Sequence, residues 1–364
     1  MNIEEAVQEN ILFKRKSYFG TYQRLFLFCT ELFCLISVIT IYSPAFYRKL
    51  NSKLDVYVLC RVTINIILAA SRCIIVLVLI KSKKISSYLG NLHAIGIHQD
   101  HELKRFITQQ QLYKNIAIAT FTIIQYVLHG FNFINIDMNS VWRKSIRVIL
   151  LYTYQAIYLL ILREVVDVCI HLQAAFKLVN SKVSSLVNNQ SINLKSLICC
   201  RRYYTHAVKA TKSVENYFRC FVTFYFIQYA FHNIMNIVNA FGGRSSMDIY
   251  WMFHTINDTL LMIYLTVNLV SINLLSRESL DNLYELSFKM KRMDMKYENE
   301  IFIGRKITDV GFTFANLFTI NTQFIVSMFT LSLTIILALA KDEDQKNREN
   351  CLRNRFFFKS ASKM

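Results

Sequence analysis

Gln323, Ser327, Thr330, Thr334 and Lys341 follow one another at intervals of four, three, four and seven residues, which places them on one face of a helix. The residues between them are mostly Phe, Ile, Leu, Val and Met. A hydroxyl stripe along an otherwise apolar helix is what the wall of a water-filled pore requires, because hydroxyls replace part of an ion's hydration. The same side chains can instead bond the carbonyl four residues back, so the spacing leaves both uses open. Lys341 either faces such a pore, where a ring of lysines would repel cations, or snorkels away from the apolar layer.

A second polar set recurs at helical spacing inside four other apolar stretches. It comprises Gln125, Tyr126, His129 and Asn132; Tyr152 and Gln155; Gln228, His232, Asn236 and Asn239; and Trp251, His254 and Asp258. Apolar walls with a few placed hydrogen-bonding groups are the usual form of a small-molecule pocket, with Tyr126 and Trp251 as aromatic walls. Hydrogen bonds that only hold helices together are the other use of such residues. His93, His98 and His101 with Asp100 and Glu102 match no standard metal-ligand spacing, so a solvated segment is expected there, with no metal and no cofactor.

These side chains need elements to hold them, and the composition specifies which kind. Of the 364 residues 54% are apolar and only 18% charged, against about 25% charged in ordinary soluble domains. Gly numbers 8 and Pro 1, where average usage would give about 25 and about 18. Glycine-rich phosphate loops and proline-punctuated folds are thereby excluded, and helix is expected nearly throughout. Seven apolar blocks are long enough to cross a hydrocarbon layer of about 30 Å: 25–42, 56–80, 116–136, 146–170, 214–241, 251–275 and 310–340. We therefore expect an all-α membrane protein forming a single seven-helix domain over 1–364. The first block is expected to be a permanent signal anchor, because no short cleavable apolar core precedes it.

The net charge of +18 would fit a nucleic-acid binder, but the 42 Lys and Arg lie between the apolar blocks and form no basic domain. The stretch before the first block and the loops 81–115, 171–213 and 276–309 hold 24 of them, and the opposite side holds 13. The positive-inside rule then puts the amino terminus in the cytoplasm and the carboxyl terminus outside. Nine cysteines contain no Cys-x-x-Cys and none falls in an expected outer loop, so no disulfide framework is expected. Adjacent Cys199 and Cys200 are read as ordinary thiols, with acylation as the alternative.

The cytoplasmic loops keep a helical period. Leu162, Val165, Val166, Cys169, Leu172, Phe176, Val179, Val183 and Leu186 form one apolar stripe, and Leu280, Leu283, Leu286, Met290 and Met293 form another. Long helices are expected to continue past the bilayer and bury those stripes, within the chain or against another subunit. Charges inside the apolar blocks should find partners: Arg72 with Glu31, and Arg61 with Asp258, which match in depth. Arg163, Glu164, Asp167 and Arg219 lie at inner helix ends, where snorkelling or salt bridges account for them.

The stretch Phe312-Thr-Phe-Ala-Asn-Leu-Phe-Thr-Ile-Asn321 resembles the sequence leading into the last helix of the insect gustatory receptor family, within the gustatory and odorant receptor superfamily, where a Leu-Phe-x-Ile-Asn/Asp core recurs. Ser276-Arg-Glu278 and the Asn299-Glu-Ile-Phe-Ile-Gly-Arg305 approach are similar in character. The family motif of Thr-Tyr, five apolar residues and Gln-Phe falls in register on Thr334-Ile335 and Lys341-Asp342, keeping only the threonine, so the chain resembles a divergent member. The resemblance implies a ligand-gated, non-selective cation channel in the plasma membrane of sensory neurons, surrounded by lipid and assembled as a homo- or hetero-tetramer. It implies a small-molecule tastant bound in an extracellular-side pocket, and a central pore lined by the seventh span. Thr330 and Thr334 would then line the pore, Ile335 and Leu337 would lie near its constriction, and Lys341 would sit at its mouth.

Other classes fit less well. A rhodopsin-like receptor would carry Asn-Pro-x-x-Tyr and Asp-Arg-Tyr, which are absent, and the sole proline is Pro44. A secondary transporter would show interrupted helices and paired repeats. An enzyme would need an activated nucleophile or a metal cluster. A non-conducting seven-helix receptor subunit is the remaining alternative.

Overall fold

The structure is a computed structural model that describes residues 83–135, 141–188, 194–241, 248–304, 310–331 and 333–334, with isolated helical positions between Cys29 and Ile75. Glu31, Arg61, Arg72, Ile335, Leu337 and Lys341 lie outside the described residues or their described side chains, and so do the two ion pairs expected of Arg61 and Arg72.

Helix dominates, as the shortage of glycine and proline requires. The elements are α1 (Lys83–Ile95), a single 3-10 turn (Ile97–Gln99), α2 (His101–Asn135), α3 (Val141–Asn188), α4 (Leu194–Phe241), α5 (Asp248–Lys289) and α6 (Met293–Gly304). A short hairpin follows, β1 (Thr313–Phe314) and β2 (Phe318–Thr319), and then α7 (Thr322–Leu331). The start of α2 is fixed by Asp100, whose Oδ1 accepts from the Glu102 and Leu103 amides at 3.0 and 3.2 Å, an N-cap that satisfies two otherwise orphaned donors.

Helix α2 has 35 residues, α3 and α4 have 48 each, and α5 has 42. At 1.5 Å per residue they run about 50 to 70 Å, well beyond a hydrocarbon layer of about 30 Å. Blocks 116–136, 146–170, 214–241 and 251–275 fall within α2 to α5, apart from residue 136, and α3 to α5 continue past those blocks into 171–213 and 276–289. Among the described residues, the stretch Met252–Lys289 of α5 is long and apolar enough to cross a membrane by length and composition. Ile123, Val127, Leu160, Phe253, Leu260 and Val267 are exposed on the flanks of these blocks, the surface that hydrocarbon would cover.

The core follows the apolar stripe of α3. All nine residues from Leu162 to Leu186 named above are buried, packed between α2, α4 and α5, while α1 lies against α4. Buried polar links fix the helices against one another. Gln173 Nε2 donates to the Asn268 carbonyl at 3.1 Å, the Ser279 hydroxyl donates to Asn180, and the Tyr204 and Ser276 hydroxyls lie 3.3 Å apart. In the second stripe Leu283, Leu286 and Met290 are buried, but Met293 is exposed. The chain breaks between α5 and α6, so the helical phase restarts at Met293.

The start of the expected seventh span is corrected. Within 310–340, the strands over 313–319 form a two-stranded antiparallel hairpin with Thr313 opposite Thr319 and Phe314 opposite Phe318, and helix begins only after Asn321. Hydropathy alone cannot separate an apolar helix from a short buried hairpin. The three-residue turn places Ala315 and Asn316 at φ 50° and 63°, in the left-handed region that non-glycine residues rarely adopt, and Leu317 N–H donating to the Phe314 carbonyl at 2.9 Å closes it. Gly311 sits at a close approach, because a Cβ there would meet Thr319 Cγ2 at 3.1 Å and the threonine would have to shift. Phe312 and Ile320 are fully buried on either side.

Candidate functional site

Four helices bring polar side chains to one junction centred on Asp258 of α5. Its Oδ1 accepts from Gln125 Nε2 of α2 at 2.9 Å, and its Oδ2 lies 3.0 Å from Nδ1 of His254, one turn earlier on the same helix. From α4, the Asn236 amide stands 3.4 Å from the same imidazole nitrogen. His232, also on α4, is close enough to Asp258 to interact electrostatically with it. An ionised carboxylate in so dry a place needs its hydrogen bonds and a counter-charge, and the imidazole with the Gln125 amide supplies them.

The aromatic part of the junction comes from α2 and α3. The Tyr126 and Tyr152 rings meet edge to face at 4.9 Å, and the Tyr152 hydroxyl donates to the Tyr126 carbonyl at 3.1 Å. His129 stands 6.4 Å from Tyr152 and 5.6 Å from His254, and Tyr250 lies 5.9 Å from His254 on its other side. Gly130 lets Tyr152 approach, since a Cβ there would sit 3.3 Å from its hydroxyl. Two buried polar atoms here, Gln125 Oε1 and His129 Nδ1, have no hydrogen-bond partner among the described residues. Each such atom costs about 1–3 kcal/mol, and a hydrogen-bonding small molecule would recover that cost.

Of the residues expected to form the pocket, Tyr126, His129, Tyr152, Asn236, His254 and Asp258 come together by these contacts. Gln228 is buried on α4 two turns before Asn236, deeper along the helix than the junction. The side chains of Gln155 and Trp251 are outside the described ones. Gln125 is the central partner of Asp258, a role that its helical spacing alone does not single out.

Helix α7 enters through the hairpin. Asn321 caps it, with Oδ1 accepting from the Phe324 amide at 3.0 Å, and Phe324 anchors it in a ring cluster with Phe226 at 5.0 Å, Phe318 at 5.6 Å and Phe314 at 5.8 Å. The Leu-Phe-x-Ile-Asn core of the sequence thus supplies a cluster ring (Phe318), a buried anchor (Ile320) and the helix cap (Asn321). Ser327, Thr330 and Thr334 are exposed on the surface of the chain, and their hydroxyls donate to the carbonyls of Gln323, Val326 and Thr330 at 2.8–2.9 Å. Val326, Phe329, Leu331 and Leu333 are exposed beside them.

Near the other end of the helices, α1 and α4 meet where His206 Nδ1 and Asn91 Oδ1 lie 2.9 Å apart. Burial, then Lys209 and Arg202, hold the His206 imidazole below its usual range. Burial, then the neighbouring Cys199, pushes the Cys200 thiol up to about 11, so it stays protonated near neutrality. Among the described residues no group of three or more His, Cys, Asp or Glu could hold a metal ion. Asp100 of the 93–102 cluster serves as a helix cap.

No family model matches the sequence, and no curated protein matches it either. Solved structures do match the fold. The insect olfactory receptor OR5 from Machilis hrabei superimposes with a TM-score of 0.62 over 89% of this chain and 90% of that one, at 12% identity. The same receptor in complex with eugenol superimposes with a TM-score of 0.59 over 85% and 88%, at 11% identity. The chain therefore has the fold of an insect olfactory receptor along nearly its whole length, consistent with the superfamily resemblance of its sequence.

Proposed function

We propose that this protein is a chemosensory receptor of the taste type that acts as a ligand-gated, non-selective cation channel. The observation that carries the reading is the polar junction of α2, α3, α4 and α5, with two buried atoms that lack a partner among the described residues, inside a fold shared with a receptor solved in complex with eugenol. In this reading a small molecule completes the junction formed by Tyr126, His129, Tyr152, Asn236, His254 and Asp258, with Gln155, Gln228, His232 and Trp251 as further pocket residues. A tetramer in the plasma membrane of sensory neurons gathers four copies of α7 around a central pore. Ser327, Thr330 and Thr334 line it, with Ile335 and Leu337 at the constriction and Lys341 at the mouth.

Opening is a population shift. A ligand that fits the junction better in the open arrangement biases the channel by that difference in affinity. What supports the pore assignment is the entry hairpin that seats α7 on α4. The test is functional expression in a heterologous cell against a chemical panel, with currents recorded for wild type and Lys341→Gln. Ligand-evoked currents whose ion selectivity changes in the variant support the reading. Ligand binding without current, in cells where the protein reaches the surface, would leave a non-conducting receptor subunit.

A further inference from the structure

The junction, taken as the ligand site proposed above, has a chemical bias of its own. Its central group is a carboxylate, and among the described residues no lysine or arginine pairs with it. The counter-charge is His254 at 3.0 Å, an imidazole that is charged only when protonated. Among the described residues the titratable groups around it are Tyr126 and His129 on α2, Tyr152 on α3, His232, Tyr225 and Tyr229 on α4, and Tyr250 on α5. None of these is a permanent cation. The unpartnered Gln125 Oε1 is an acceptor, and the Tyr126 and Tyr152 rings of the same junction meet at 4.9 Å. Carboxylate, amide oxygen and aromatic faces all present negative potential, and ring faces attract ammonium groups.

We propose that the junction selects a small organic cation, with its ammonium group set against Asp258 in place of the His254 imidazole and its apolar body against Tyr126 and Tyr152. This specificity rests on the junction being the ligand site. A neutral polyol would satisfy Gln125 Oε1 but would supply no permanent charge for the carboxylate. An anion would meet Asp258 directly.

The experiment is ligand-induced thermal stabilisation of the full chain in lipid nanodiscs, using benzyltrimethylammonium, its neutral isostere neopentylbenzene, and sorbitol. The cation should bind at least about tenfold more tightly than the isostere, and Asp258→Asn should weaken its binding by at least about tenfold. His254→Gln keeps a donor but removes the competing charge, so cation affinity should rise. That variant decides the matter if Asp258→Asn does not fold, because a merely structural role for His254 would lower affinity. Equal binding of the two isosteres, unchanged cation affinity in Asp258→Asn, or unchanged or weaker affinity in His254→Gln overturns the proposal. Binding of sorbitol or neopentylbenzene without the cation overturns it while leaving the ligand site standing. Cation binding without ligand-evoked current sinks the channel reading alone.

Discussion

The Thr313 hydroxyl donates to the Glu215 carboxylate, joining the first strand of the hairpin to α4 across 98 residues of sequence. Arg219 grips the same carboxylate through Nε at 2.5 Å and Nη2 at 2.6 Å. One turn further on, Thr223 Oγ1 accepts from the Ala315 amide at 2.9 Å. Glu215, Arg219 and Thr223 are four apart, so a single face of α4 seats the segment that launches α7. The same helix carries His232 and Asn236 to the Asp258 junction. Under the proposed function, α4 is the physical link between the ligand junction and α7.

Glu215→Ala should lower the stability of the solubilised protein by about 1.5–3 kcal/mol, the range for hydrogen bonds to charged groups, because Arg219 and Thr313 lose their shared acceptor. Thr313→Val should cost less, since Arg219 keeps its partner. A double-mutant cycle by thermal unfolding should give a coupling of about 0.5 kcal/mol or more. Additive effects would mean that the Thr313–Glu215 bond adds nothing, leaving the hairpin held by Thr223 and its aromatic cluster.

Lys114 Nζ lies 2.6 Å from Asp167 Oδ1, with both side chains almost fully buried, and Gln111 Nε2 reaches the same oxygen at 3.3 Å. Lys114→Met should destabilise by about 3–5 kcal/mol, the cost of leaving one buried charge unpaired. Adding Asp167→Leu should recover much of that loss. Detergent-solubilised melting temperatures check both, and a double variant no better than the single one would refute the pairing argument.

Features of long period are legible in the sequence, and partner choice is not. The stripe from Leu162 to Leu186 is buried as its spacing requires, because periodicity reports directly on one helix face. Asp167 and Arg219 sit in the salt bridges that their places near the inner ends of the apolar blocks suggest, although the helices themselves run on past those ends. The segment 310–321 reads as helix because its residues are as apolar as a span, while the turn depends on left-handed backbone at Ala315 and Asn316, and alanine gives no signal for that. Depth matches Asp258 to Arg61, which is not among the described residues. The contacts that Asp258 does make, with Gln125 from α2 and with His254 one turn away, depend on how the helices rotate about their axes, and depth alone does not specify rotation.

The contact between α1 and α4 should weaken in acid. His206 has its folded pKa depressed below the ordinary 6.5, so its contribution to stability is present above that pH and is lost as pH falls through the lowered value. Amide exchange in residues 83–95 should therefore speed up relative to the core as pH drops below 6.5, after correction for intrinsic rates. His206→Asn should abolish that dependence. A pH-independent ratio in the wild type would count against it.

Cysteines placed at Ser327, Thr330 and Thr334 should react with charged, water-borne thiol reagents in the assembled protein, and ligand-evoked current should fall by more than half. Cysteines at Ile325 and Phe329, on the opposite side of the helix, should react far more slowly, because lipid or a neighbouring copy covers that side while water wets the hydroxyl face. Equal reactivity around the helix would remove α7 from the pore wall.

Asn299 is fully buried on α6, with Nδ2 donating to the Leu283 carbonyl and to Ser287 Oγ, both at 2.7 Å, and Oδ1 accepting from Arg201 Nε at 3.0 Å. One amide thus fastens α6 to both α5 and α4, and the chain leaving α6 runs on to the hairpin. Asn299→Asp keeps the acceptor for Arg201 but turns a carboxylate oxygen toward the Leu283 carbonyl, where a donor is needed. Asn299→Leu keeps the volume and loses all three bonds. Both should destabilise by about 2–4 kcal/mol, given about 1–3 kcal/mol for each buried group left unpaired, with Asp the worse because its charge faces a carbonyl. Limited proteolysis between residues 290 and 312 should report the loss before global unfolding does. If Asp proves milder than Leu, the Arg201 contact dominates the site and the bonds to α5 are secondary.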